Sequence, residues 1–169
     1  IIKNEREQLA AVILEPLVQG AGGMRICRKE FLLQLVKIFK EAGIIVIFDE
    51  VMTGFGRTGK MFAADFIDEE PDIMCLAKSL TGGFIPLAAT IFSEKIHKEF
   101  VATDLKKTFL HGHTFSANPV ACSVALCSLQ LFEKDNTFKK IKMISKIHSK
   151  FLLELSKNPS VSKIRMIGT

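Results

Sequence analysis

Ile44-Ile45-Val46-Ile47-Phe48-Asp49 and Ile73-Met74-Cys75-Leu76-Ala77-Lys78 are the stretches on which the fold turns. Each is a short apolar run closed by a charged residue. Runs of this length, bounded by turn-forming or charged residues, read as buried strands. Buried strands belong to α/β sheets, in which ligands bind in the crevice beyond the carboxyl ends of the strands. Asp49 and Lys78 are therefore expected to face that crevice. A lysine placed there can lose its proton and form a Schiff base with an aldehyde. A carboxylate beside it can pair with a pyridinium nitrogen.

The flanking sequence supplies the rest of such a sheet. Leu9 to Leu14 reads as a strand ended by Glu15-Pro16, and Gly20-Ala21-Gly22-Gly23 as a turn. Arg28 to Ala42 reads as an amphipathic helix, with Phe31, Leu32, Leu35, Val36, Ile38 and Phe39 on its buried side. Gly43 stops it. Leu87 to Phe92 reads as a further strand, and Ser93 as the cap of a short helix with Glu94 in its first turn. Asn118-Pro119 opens a helix through Ala121, Val124, Ala125, Leu129 and Phe132. A second helix covers Thr137 to Ser156, Asn158-Pro159-Ser160 makes a turn, and Val161 to Ile167 reads as a strand. Alternation of strand and helix argues for a mostly parallel α/β sheet.

Bulk properties narrow the function classes. The chain has 169 residues, 48% of them apolar and 24% charged, which allows one domain with a real core. Its apolar runs fall well short of the ~20 residues that span a bilayer. No signal peptide is visible, so a cytoplasmic protein with no membrane association is expected. Cys27, Cys75, Cys122 and Cys127 lack zinc-site spacing and read as reduced core thiols. The net charge of +5 comes largely from late lysines: Lys134, Lys139, Lys140, Lys142, Lys146 and Lys150. Phe138, Ile141, Ile144, Phe151, Leu152 and Leu155 interleave with them at helical spacing. That pattern is a solvated face of an amphipathic helix, not a nucleic-acid site.

Four motifs in order carry a resemblance. They are Glu15-Pro16 with Val18 to Met24, Asp49 to Lys60, Pro71 through Gly83, and His111-Gly112-His113-Thr114-Phe115-Ser116-Ala117-Asn118-Pro119. Together they resemble class III (ω-type) aminotransferases, which use pyridoxal 5'-phosphate (PLP). The resemblance implies part of the large PLP-binding domain of fold-type I aminotransferases over residues 1–133. Residues 134–169 would be a connecting helix and the start of a small α+β domain. It also implies small-molecule substrates, a homodimer, and Lys78 as the catalytic residue that bonds the cofactor. Asp49 would hold the pyridine nitrogen protonated, and Val51 would pack on one ring face. Thr114 would reach the phosphate held by the neighbouring subunit. Gly112 would line the substrate pocket, and Glu15 would stand near the active-site floor. His113 departs from the pattern, which usually has proline there.

Within the family the likeness runs to the members of biotin biosynthesis. That implies S-adenosylmethionine as donor and 8-amino-7-oxononanoate as acceptor. Acetylornithine, ornithine and 4-aminobutyrate types share the same skeleton and stay open. Two other signals point elsewhere. Gly54-x-Gly56-x-x-Gly59 formally matches a dinucleotide fingerprint, but Asp49 to Thr53 separates it from the strand and no helix cap follows. His111-x-His113 lacks further ligands at metal-binding spacing, so no metal is expected. The chain opens without Met and stops at Gly168-Thr169, as the small domain would begin. It therefore reads as an internal fragment, with the alternative of a truncated, non-catalytic remnant that has little activity alone.

Overall fold

Val46 and Phe48, at 0% exposure, stand at the centre of a four-stranded sheet. The computed structural model describes residues 2–101 and 103–169. The central strand, Ile45–Asp49, pairs in parallel with Ala11–Leu14 on one side and Ile73–Leu76 on the other. Ala89–Phe92 adds an antiparallel edge strand to Ile73–Leu76. A two-residue pair, Val18–Gln19 with Arg25–Ile26, forms a separate antiparallel hairpin. In chain order the strands are β1 (Ala11–Leu14), β2 (Val18–Gln19), β3 (Arg25–Ile26), β4 (Ile45–Asp49), β5 (Ile73–Leu76) and β6 (Ala89–Phe92). The large sheet runs β1-β4-β5-β6. The expected α/β class with a mostly parallel sheet is the observed one.

Helices are α1 (Ile2–Glu5), α2 (Lys29–Glu41), α3 (Glu94–Phe100), α4 (Pro119–Lys134) and α5 (Thr137–Leu155). Helix α2 makes the crossover from the hairpin into β4. Leu32 and Val36, one turn apart, pack with Val46, Phe48, Leu17, Val18 and Ala63 into the core. Its buried stripe is narrower than periodicity suggests: Phe31 and Ile38 are exposed. Arg6 closes the helix end by donating from Nε to the Ala42 carbonyl. Gly43 then turns the chain with a positive φ of 70°.

Three expectations need correction. Val161 to Ile167 is not a strand: it has no ladder partner among the described residues, and Lys163 takes a left-handed φ of 55°. Its anchors are single bonds instead, Arg165 Nη2 to the Gly23 carbonyl and Ser145 Oγ to the Gly168 carbonyl. Alternating apolar residues make a strand only where the fold lays them alongside another strand's edge. Ser93 sits at the start of α3, but its hydroxyl makes no cap and is buried without a partner. Cys127 is exposed, not a core thiol, while Cys27, Cys75 and Cys122 are partly buried. Asn118, by contrast, caps α4 as expected, its Oδ1 accepting from the Val120 and Ala121 amides at 3.0 and 3.1 Å.

Candidate active site

Parallel pairing brings the two charged strand ends to one edge. Asp49 is in register with Cys75, and the Glu50 amide extends the ladder by donating to the Cys75 carbonyl at 3.0 Å. Lys78 follows β5 by two residues, so both charged groups lie at the carboxyl ends of adjacent parallel strands. This is the crevice edge of an open α/β sheet.

The chain around Lys78 is tightly held. Lys78–Thr81 forms a 3-10 turn in which Leu80 and Thr81 are buried. The Thr81 hydroxyl donates to the Ile85 carbonyl at 2.6 Å, and Gly82 ends the turn in the left-handed region. Lys78 is itself left-handed, φ 46°, yet exposed. A non-glycine residue there costs on the order of 1–2 kcal/mol, and such strain gathers at functional sites. Lys78 opens on a cavity of about 900 Å3 walled by Ile85, Pro86, Leu87 and Ala88 and reached by His111, Gly112 and His113. Gly112 has nothing within 4 Å of where a Cβ would stand.

Asp49 faces a second cavity, about 420 Å3, shared with Leu14, Glu15, Gln19 and Gly22. Its Oδ1 accepts the Val51 amide at 3.0 Å, leaving Oδ2 without a protein partner among the described residues. Glu15 is engaged structurally: its Oε2 accepts the Gly20 amide at 2.9 Å and holds the hairpin turn. Val51 is half-buried in the loop after β4. Thr114 is exposed and does not line the Lys78 cavity, though its neighbours His113 and Phe115 do. Lys78 and Gly112 therefore share one cavity, Asp49 and Glu15 another, and Thr114 stands apart on the His111–Ser116 loop. By type these groups fit PLP, an amine for its aldehyde and a carboxylate for its ring nitrogen, although the two line separate cavities and Thr114 lines neither. A cavity of this size is within the range of cofactor sites.

Sequence reading passed over Glu50. It is fully buried, and its Oε2 accepts from the Thr53 hydroxyl and, at 3.0 Å, the Ala63 amide. Its Oε1 accepts the Ala64 amide at 2.8 Å. Burial pushes its carboxyl above the ordinary range, against those hydrogen bonds. Glu50 thereby ties the whole Val51–Phe62 loop back onto β4, next to Asp49. The one local signal was Thr53 three residues on. The Gly54–Gly59 segment is part of this loop and leads to a 3-10 turn at Ala63–Phe66, not to the α-helix a dinucleotide site requires.

A model of the class-III aminotransferase family matches residues 1–169. The chain belongs to that family. Among its relatives is the adenosylmethionine-8-amino-7-oxononanoate aminotransferase of Synechococcus elongatus, 45% identical over 95% of this chain and 37% of that protein. The enzyme of the same description from Staphylococcus aureus is 43% identical over 99% of this chain and 37% of its own length. The crystal structure of the Methanocaldococcus jannaschii adenosylmethionine-8-amino-7-oxononanoate aminotransferase superposes with a TM-score of 0.90. It is 39% identical and is matched over 99% of this chain and 39% of that one. The likeness extends to the fold-type I aminotransferase architecture. The chain thus spans well under half the length of these class-III relatives. None of its helices is long and apolar enough to cross a membrane, among the described residues.

Proposed function

We propose that the whole protein is a PLP-dependent aminotransferase of biotin biosynthesis, moving the amino group of S-adenosylmethionine onto 8-amino-7-oxononanoate. The observation that carries the reading is the pair Lys78 and Asp49 at the carboxyl ends of adjacent parallel strands, with Lys78 left-handed beside a large cavity. The names of the relatives support the choice of substrates. When bound, PLP supplies the aldehyde that takes up the amino group and a ring that accepts electrons from the substrate Cα. Lys78 Nζ would hold the cofactor and, once the donor amine has displaced it, would take the proton from the substrate Cα. Asp49, through its free Oδ2, would keep the ring nitrogen protonated. Val51 covers one ring face, and Gly112 leaves room for substrate. Glu15 keeps the hairpin turn closed over the Asp49 side.

Thr114 contacts the phosphate held by a second subunit, which makes the working unit a homodimer. Residues 1–133 belong to the PLP-binding domain, and 134–169 lead into the small domain. The partly buried free thiols Cys27, Cys75 and Cys122 suit the cytoplasm. Borohydride reduction of the whole protein with PLP, followed by peptide mapping, labels Lys78 on this reading. A label on any other residue overturns it. Complementation of a biotin auxotroph tests the substrates. Failure there, with turnover of an ω-amino acid, moves the assignment to an acetylornithine, ornithine or 4-aminobutyrate type.

A further inference from the structure

We propose that His113 is a positioning residue for the phosphate contact: its neutral imidazole clips shut the turn that presents Thr114. The proposal rests on the reading of Thr114 given above. The turn is closed at its base by the Ser116 amide, which donates to the His113 carbonyl at 2.8 Å. Across its middle the Phe115 amide donates to His113 Nδ1 at 3.2 Å. Thr114 lies between the two. The imidazole also packs against the Phe115 ring, centroids 5.8 Å apart. Residues 111–117 are exposed, so no buried packing duplicates these bonds.

A neutral imidazole has one acceptor nitrogen. Spending Nδ1 on the Phe115 amide puts the proton on Nε2. The ring then does for this turn what an Asn or Asp side chain does in an Asx turn, accepting an amide two residues on. A protonated imidazole has no acceptor, so two N–H groups would face each other and the clip would open. The other titratable groups on the shared cavity are Lys78 and His111, and no carboxylate lines it among the described residues. The turn therefore holds Thr114 in place only while Nδ1 accepts the Phe115 amide.

The test uses the whole protein with His113→Ala, His113→Asn and Thr114→Ala. Hydrogen exchange of the Phe115 amide is read in the cofactor-free protein at pH 8, and PLP affinity at the same pH. In the wild type the amide is protected. H113A is unprotected. H113N, whose Oδ1 accepts in place of Nδ1, is protected. At pH 8, H113A binds PLP about 2- to 10-fold more weakly than wild type, and H113N restores binding. Unchanged Phe115 protection in H113A, or a loss that H113N does not restore, overturns the clip. Expected exchange with unchanged PLP affinity overturns the positioning role. In that event weakened PLP in T114A leaves the phosphate reading standing, and full retention in T114A removes that reading too.

Discussion

Glu50 shows how one buried side chain anchors the loop beside Asp49. A carboxylate with no ion-pair partner among the described residues and three donors around it is satisfied but not neutralised. Its folded carboxyl holds the proton more tightly than the unfolded chain does, because burial raises it above 4.5. The folded state thus binds more protons just above that value, so stability falls as pH rises through that window. Glu50→Gln should abolish this slope. It should also cost about 1–3 kcal/mol at pH 5, since the new NH2 meets the Ala64 or Ala63 amide head-on. Urea midpoints at pH 5 and pH 7.5 test both, and an unchanged slope in the variant would exonerate Glu50. The cysteines give a second prediction. Burial raises the Cys27 thiol, whereas Cys127 is exposed. Alkylation followed by mass mapping should modify Cys127 first and Cys27 far more slowly, and equal rates would contradict the burial of Cys27.

Helix ends and loops behave as separable parts. Asn118 satisfies two amides at the start of α4, and Pro119 needs none. Asn118→Ala should destabilise by about 1 kcal/mol and Asn118→Asp by much less, read from denaturant midpoints. The loop after β4 is more demanding. Gly56 has φ 89°, and a Cβ there would run into Ile141 of α5 and press on Phe132 of α4. Gly56→Ala should therefore cost more than about 1 kcal/mol. Gly22→Ala, with ordinary contacts and no positive φ, should stay within about 0.5 kcal/mol. Comparable losses at the two positions would mean that α5 does not rest on this loop. The dinucleotide-like glycines thus have a packing reason: Gly56 lets α4 and α5 approach the Asp49 loop.

The molecule exposes 12296 Å2, against about 8,300 Å2 for a compact monomer of its mass. Phe84 and Leu110 are more than four-fifths exposed, and Ile13 more than half. Apolar faces of this extent need cover. The 169-residue chain purified alone should associate reversibly or aggregate in sedimentation velocity at micromolar concentration and turn over no amine donor. A monodisperse, PLP-loaded monomer would contradict this. The class of fold was legible because β4 and β5 are continuous apolar runs of the kind parallel sheets carry. Lys78 and Asp49 were read as the charged residues closing such runs within the four-motif resemblance, and the fold places both at the carboxyl ends of adjacent parallel strands. The Asn118 cap was legible because it is satisfied within one turn of chain. The rest depends on partners distant in sequence. The exposure of Phe31 follows from how wide a stripe the sheet covers. The loss of the Val161 strand follows from where the fold lays that segment, bonded to Gly23 and to Ser145 of α5 and not along an edge of the sheet. Glu50's burial needs amides 13 and 14 residues away. The separation of Thr114 from the Lys78 cavity depends on how a loop lies across the sheet. Periodicity and capping are local energies that a short stretch carries with it, whereas burial, pairing and cavities are properties of what the folded chain brings alongside.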